Sequence, residues 1–262
     1  ADMAKFAMQD SLYSHVFLIP FIALYLARSI RDSVSVVYSD YPAGFALFVA
    51  AGAFLSTIGR GDAQGFEFAQ VDLMTITMIS FVTCILGAFL VIFGYDAWRA
   101  MLFPLLFLYL IAPLPELVMA DISHFFQYWS GLAADAMLRM TGTPVYRDGM
   151  ILQLPGFALE VAEECSGIRA SLVLFITSLL AGHMFLRRFV SRFALAASIV
   201  PIAIIRNAAR IVVLALVTLH VDPEALQGPL HRQGGAPFFV LSLVPLFIIL
   251  WLLRRSERVR AA

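Results

Sequence analysis

Charge is scarce in this chain. Asp, Glu, Lys and Arg make up 14% of its 262 residues and hydrophobic types 61%, with a mean hydropathy of +0.87. That balance excludes an ordinary soluble domain, which carries about a quarter charged residues, and reads as a polytopic membrane protein. Net charge is zero, so nothing favours nucleic acid as a partner or a basic membrane-surface protein. Lysine is nearly missing, with Lys5 alone against 17 arginines. Cys84 and Cys165 are the only cysteines. Cys84 lies about ten residues, roughly 15 Å of helix, from either end of its apolar run, so free thiols are expected rather than a disulfide. No glycine-rich phosphate loop and no His, Cys or carboxylate pair at metal-ligand spacing occurs, so neither cofactor nor metal is expected. Internal repeats, low-complexity tracts and soluble linkers are absent, and the N-terminal pattern is not that of a signal peptide. Residues 1–262 read as a single membrane domain.

What is present is a series of apolar runs, at about residues 13–28, 42–59, 71–94, 99–119, 165–186, 190–220 and 236–253, each long enough to cross, or nearly cross, a bilayer. The expected fold is therefore an all-α integral membrane protein with about seven transmembrane helices. Residues 121–140 differ: Ile122, Phe125, Phe126, Trp129, Leu132, Ala133, Ala136, Met137 and Met140 recur at helical spacing, opposite Asp121, His124, Gln127 and Asp135. This predicts an amphipathic helix lying in the interface. Residues 142–164 form an extracytoplasmic segment leading to Cys165, and Tyr146 to Glu164, interrupted by Pro155 and Gly156, predicts a short hairpin within it. With these assignments Arg28, Arg31, Arg99, Arg187, Arg188, Arg192, Arg254, Arg255, Arg258 and Arg260 share one side. By the positive-inside rule that side is cytoplasmic.

Candidate chemistry gathers on the opposite side. The stretch V-A-E-E-C-S-G-I-R-A-S, residues 161–171, places Cys165 at the first turn of an apolar helix. Backbone N–H groups and the helix dipole there favour the thiolate; the plainer reading is a small buried apolar residue. Arg210 lies 18 residues after Arg192, about 27 Å along a helix, which brings it to the same outer depth. His231, in H-R-Q-G-G ahead of the last span, shares that level and is a candidate general acid or base. Arginine within a span is costly enough to suggest function, and Arg206 and Arg210 lie four apart with Asn207 beside them. Pairing with Glu163, Glu164 or Asp222 is the structural alternative. Arg169, four residues after Cys165, could bind a substrate acid, lower the thiol pKa or pair with a glutamate. His15 is a weaker outer-end candidate, and His124, His183 and His220 read as interfacial or structural.

On D-S-L-Y-S-H (residues 10–15), P-L-P-E (113–116), A-E-E-C-S-G-I-R (162–169), R-N-A-A-R-I-V (206–212) and H-R-Q-G-G-A-P-F-F (231–239), the chain resembles the exosortase and archaeosortase family of membrane-embedded cysteine transpeptidases. The histidine leans toward the bacterial exosortase branch; archaeal members carry an arginine there. The resemblance implies Cys165 as nucleophile, Arg210 as the motif arginine and His231 as the third catalytic residue. Arg169, Arg206, Asn207, Glu164 and His15 remain candidate substrate-binding positions. Family members usually have a further span ahead of the Y-S-H motif, which here lies within the first 15 residues.

The implied substrates are exported proteins with C-terminal sorting signals of PEP-CTERM type: a Pro-Glu-Pro-like motif, a transmembrane helix and a basic cluster. The implied location is the bacterial inner membrane, multi-pass, with the active site on the periplasmic or outer face. The acceptor, a surface lipid or polysaccharide, is left open. Two other readings compete with this one. A CAAX-type glutamic intramembrane protease needs E-E-x-x-x-R, but four residues separate Glu164 from Arg169. A non-enzymatic transporter or assembly subunit would use the arginines to bind an anion and leave Cys165 dispensable.

Overall fold

The computed structural model describes residues 16–30, 46, 48–53, 70–161, 168–221 and 235–259. In chain order the elements are α1 (Leu18–Ile30), α2 (Gln70–Ala100), α3 (Leu102–Phe107), a 3-10 turn (Leu108–Ile111), α4 (Glu116–Met140), β1 (Tyr146–Asp148), β2 (Ile151–Leu154), β3 (Phe157–Glu160), α5 (Ile168–Phe185), α6 (Phe189–Ala197), α7 (Ile199–His220) and α8 (Gly235–Val259). Four helical stretches are long and apolar enough to cross a membrane: Val71–Ala100, Ile168–Phe185, Phe189–His220 and Pro237–Val259. A fifth is reached if Leu102–Ile111 and Glu116–Met140 together form one broken span. The described residues thus form an all-α membrane protein with four or five candidate spans, where seven were expected. α1 has only 13 residues, short of a crossing at 1.5 Å per residue, and most of the run 42–59 lies outside the described residues.

The chain divides into two compact units, residues 1–119 and 120–262. In the first, α2 kinks at Gly94 (φ 77°, ψ 172°), where the sequence ended its span. Val82, Leu86, Met101 and Leu105 form the core. The expected span 99–119 is interrupted: helix stops at Ile111, Pro113 and Pro115 follow, and a new helix starts at Glu116. Proline supplies no N–H and disfavours helix in the residue before it. α2 fixes this break from the side. Thr75 Oγ1 donates to the Pro113 carbonyl at 3.0 Å, and Asp72 Oδ1 accepts from the Glu116 N–H at 2.9 Å, capping the new helix.

In the second unit, residues 120–140 continue α4, which buries Phe126 and Leu138 together with small and polar residues and exposes Asp121, His124 and Arg139 beside apolar side chains. Ser123, Gln127, Ser130, Gly131 and Ala134 are buried, whereas Phe125, Trp129, Leu132 and Met140 are exposed. Small residues permit close approach between elements that gain little from burying apolar surface when lipid is the solvent. The expected hairpin is a three-stranded antiparallel meander in the order β1-β2-β3. Its extra strand follows from a second tight turn. Gly149 (φ 59°) and Gly156 (φ 92°) both occupy the left-handed region that side chains resist. Arg147 ties the meander to α4, its guanidinium 4.7 Å from the Tyr128 ring centroid and its Nη2 donating to the Tyr128 carbonyl at 3.4 Å, while its Nε donates to the Gly149 carbonyl within the meander at 2.9 Å.

Candidate functional site

α5 and the α6–α7 pair run antiparallel, and close contacts fix their register. A Cβ on Gly182 would lie 3.7 Å from the Arg192 Cα and from Leu195 Cδ2; ten residues or so nearer the start of α5, Ser171 meets Arg206. Arg206 Nη2 donates to Ser171 Oγ at 3.1 Å, and the two residues are 8% and 5% exposed. A charged side chain this deep in an apolar helix needs hydrogen-bond partners to offset its desolvation. The same antiparallel register runs the first turn of α5 toward the Arg210 end of α7.

Two other segments reach the same turns of α7. Val161, which precedes the 162–167 segment, is buried in one core cluster with Leu152, Leu154, Ala208, Ile211 and Val212. Near the start of α8, Phe238, Leu241 and Ser242 share with Arg206 and Ala209 a cavity of about 270 Å³. The residue entering the Cys165 segment, the residue leaving it and the first turns after the His231 segment therefore converge on residues 206–212 of α7. Cys165, His231, Glu164 and His15 themselves lie outside the described residues, as do Glu163 and Asp222.

The candidates that are described separate into two groups. Arg206 and Asn207 are buried and Arg210 is half-buried on the same helix, whereas Arg169 is exposed, and Ser171 rather than Arg169 meets Arg206. The Nδ2 of Asn207, 2% exposed, has no hydrogen-bond partner among the described residues. Ser171 was missed by sequence reasoning. A serine in an apolar helix most often bonds its own backbone; the only signal was its position six residues after Cys165. Among the described residues no three His, Cys, Asp or Glu side chains gather to hold a metal. Cys84, the described thiol, is exposed on α2.

No curated protein and no solved structure matches this chain. A family model described as transmembrane exosortase matches residues 7–248, a span that takes in α1 through the first half of α8 and every motif quoted above. With that match, the chain belongs to the transmembrane exosortase family.

Proposed function

We propose that this protein is a sorting transpeptidase that removes the C-terminal signal of exported proteins through a cysteine acyl-enzyme, with Cys165, Arg210 and His231 as its catalytic residues. The observation that carries the reading is the Arg206–Ser171 hydrogen bond, because it sets the start of α5 beside the R-N-A-A-R stretch. Cys165 is joined to Ile168 by three residues of chain, a reach of at most about 11 Å. His231 precedes Gly235 by four, at most about 14 Å. Family membership supports the reaction class.

In this mechanism the Cys165 thiolate attacks the scissile carbonyl, and a carbon–sulfur bond forms as the carbonyl oxygen takes up the negative charge. Arg210 donates to that oxyanion; its charge is permanent and its donor fork rigid. Collapse of the intermediate breaks the carbon–nitrogen bond, and His231 protonates the departing amine. His231 then removes a proton from the acceptor, which attacks the thioester and regenerates the thiolate. Arg206, held by Ser171, and Asn207 position α7 behind Arg210, while Arg169 and Glu164 contact the sorting motif. The signal is of Pro-Glu-Pro type, the enzyme sits in the bacterial inner membrane, and the reaction takes place at its outer face, opposite the end where Arg187, Arg188, Arg192, Arg254 and Arg258 gather.

Co-expression with a tagged protein bearing a Pro-Glu-Pro type tail tests this. Wild type removes the tail; Cys165→Ala and Cys165→Ser do not. Tail removal by Cys165→Ala would sink the nucleophile assignment.

A further inference from the structure

The end of the α5–α8 group remote from Arg206 is crowded with charge of one sign. α5 ends at Phe185, α6 begins at Phe189, and α8 runs on to Val259. Between them lies a concavity of about 540 Å³ bounded by Arg187, Arg188, Arg192, Arg254, Arg258 and Glu257. Five guanidinium groups share this space with one carboxylate, and that carboxylate is already engaged by the backbone. Glu257 Oε2 accepts from the N–H of Arg187 at 2.9 Å and Oε1 from that of Arg188 at 3.0 Å. Arg192 Nε donates to the Leu186 carbonyl at 2.9 Å, and Arg254 lies 5.6 Å from the Phe185 ring centroid. Neither contact cancels a charge, and none of the five forms an ion pair among the described residues.

The surroundings are apolar. Met184 and Phe185 line the concavity and are exposed, as are Phe189 and Phe193 on the adjoining helix. Clustered guanidinium groups need an anion to offset their mutual repulsion, and their planar forks match phosphate oxygens. A basic hollow at the ends of apolar helices, walled by exposed aromatic and aliphatic side chains, fits a ligand with an anionic head and hydrocarbon chains. We propose that this concavity is a binding site for an anionic phospholipid, with the phosphate held by Arg188, Arg254 and their neighbours and the acyl chains lying against the apolar faces of α5 and α6. Arg192 precedes Arg206 by 14 residues, about 21 Å of helix, so the site is separate from the proposed catalytic residues and does not depend on their assignment.

The test is native mass spectrometry of the full chain in detergent, titrated with phosphatidylglycerol or phosphatidylcholine. Phosphatidylglycerol is expected to bind at least about tenfold more tightly, and Arg188→Gln combined with Arg254→Gln to weaken it about fivefold per arginine removed. Both side chains are exposed, and Arg188→Gln keeps the main-chain hydrogen bond to Glu257, losing only a solvent-screened attraction between exposed charges, so the fold is retained. Arg258→Gln alone is a second reporter, with about a fivefold loss. Arg255, whose guanidinium lies 5.5 Å from the Trp251 ring centroid outside the concavity, is the matched control; Arg255→Gln is expected to change nothing. Equal binding of the two lipids, or an equal loss from Arg255→Gln, overturns the proposal. So does full competition by glycerol phosphate at the lipid's own concentration, which would make this a free-phosphate site.

Discussion

Arg206 Nη2 donates to Ser171 Oγ across 3.1 Å, and both side chains are buried between α5 and α7. Hydrogen bonds to a charged group contribute about 1.5–3 kcal/mol, more than neutral ones, because the alternative is a poorly solvated charge. Ser171→Ala is therefore expected to lower stability by about 2 kcal/mol, seen as an earlier thermal unfolding midpoint in detergent. Cys165→Ala, which removes only the proposed nucleophile, is expected to leave that midpoint unchanged. A Ser171→Ala protein as stable as wild type would mean that this hydrogen bond holds nothing together.

Arg210 is half-buried one turn beyond Arg206. Under the proposed mechanism Arg210→Ala lowers the rate of tail removal by roughly 10²–10³, the usual consequence of losing an oxyanion donor. Arg210→Lys falls nearly as far because an ammonium lacks the planar fork. The readout is the time course of processing by protein whose unfolding midpoint matches wild type. Normal processing by the alanine variant would remove Arg210 from the catalytic set.

Gly52 and Cys84 pack together in the first unit: a Cβ built on Gly52 would fall inside van der Waals contact of Cys84 Sγ. Gly52→Ala is expected to destabilise by about 1 kcal/mol, the cost of turning the exposed Cys84 thiol out of its rotamer. Cys84→Ala on top of it should restore at least half of that loss, giving a measurable coupling in a double-mutant cycle. Cys84→Ala alone is expected to leave tail removal intact. Absence of coupling would show that the two helical segments do not meet at these residues.

Asp72 accepts the Glu116 N–H at the start of α4. Asp72→Ala is expected to cost about 1 kcal/mol, the usual value for a lost helix cap, and Asp72→Asn much less, since an acceptor oxygen remains. Chemical denaturation in mixed micelles compares the two; equal losses would argue that the charge, not the hydrogen bond, matters.

These relationships differ in how visible they were beforehand. The end of the 71–94 run at Gly94, the helical character of 121–140 and the shared face of Arg206 and Arg210 were all legible, because each is written in local spacing. The break at residues 112–115 was hidden inside an apolar run that continues to residue 119, although Pro113 and Pro115 were in plain view. What decides it is distant in sequence: Thr75 and Asp72 supply the partners that make a broken helix stable. The third strand was missed although Asp148-Gly149 is itself a turn signal; the positive φ of Gly149 shows that turn in use. Ser171 escaped notice because its partner lies 35 residues away. In α4 the buried side mixes Ser123, Gln127 and Ser130 with Phe126 and Leu138, and Phe125 and Trp129 face outward, so the helix lacks the clean apolar stripe of one docked on a water-soluble core. Of the proposed catalytic set, Arg210 lies among the described residues, and the proposed partners Cys165 and His231 rest on the motifs and on the chain positions that bracket them.

Glu257 holds the loop between α5 and α6 through two main-chain N–H groups. Such a fastening is blind to side-chain identity: any amino acid except proline at positions 187 and 188 would offer the same two donors. The two hydrogen bonds therefore place no demand for positive charge there, although the charge of Arg188 also attracts the Glu257 carboxylate. As far as those two hydrogen bonds go, both positions are free to be serine or leucine, but glutamate at 188 would set a second negative charge beside Glu257, where the arginine supplies attraction.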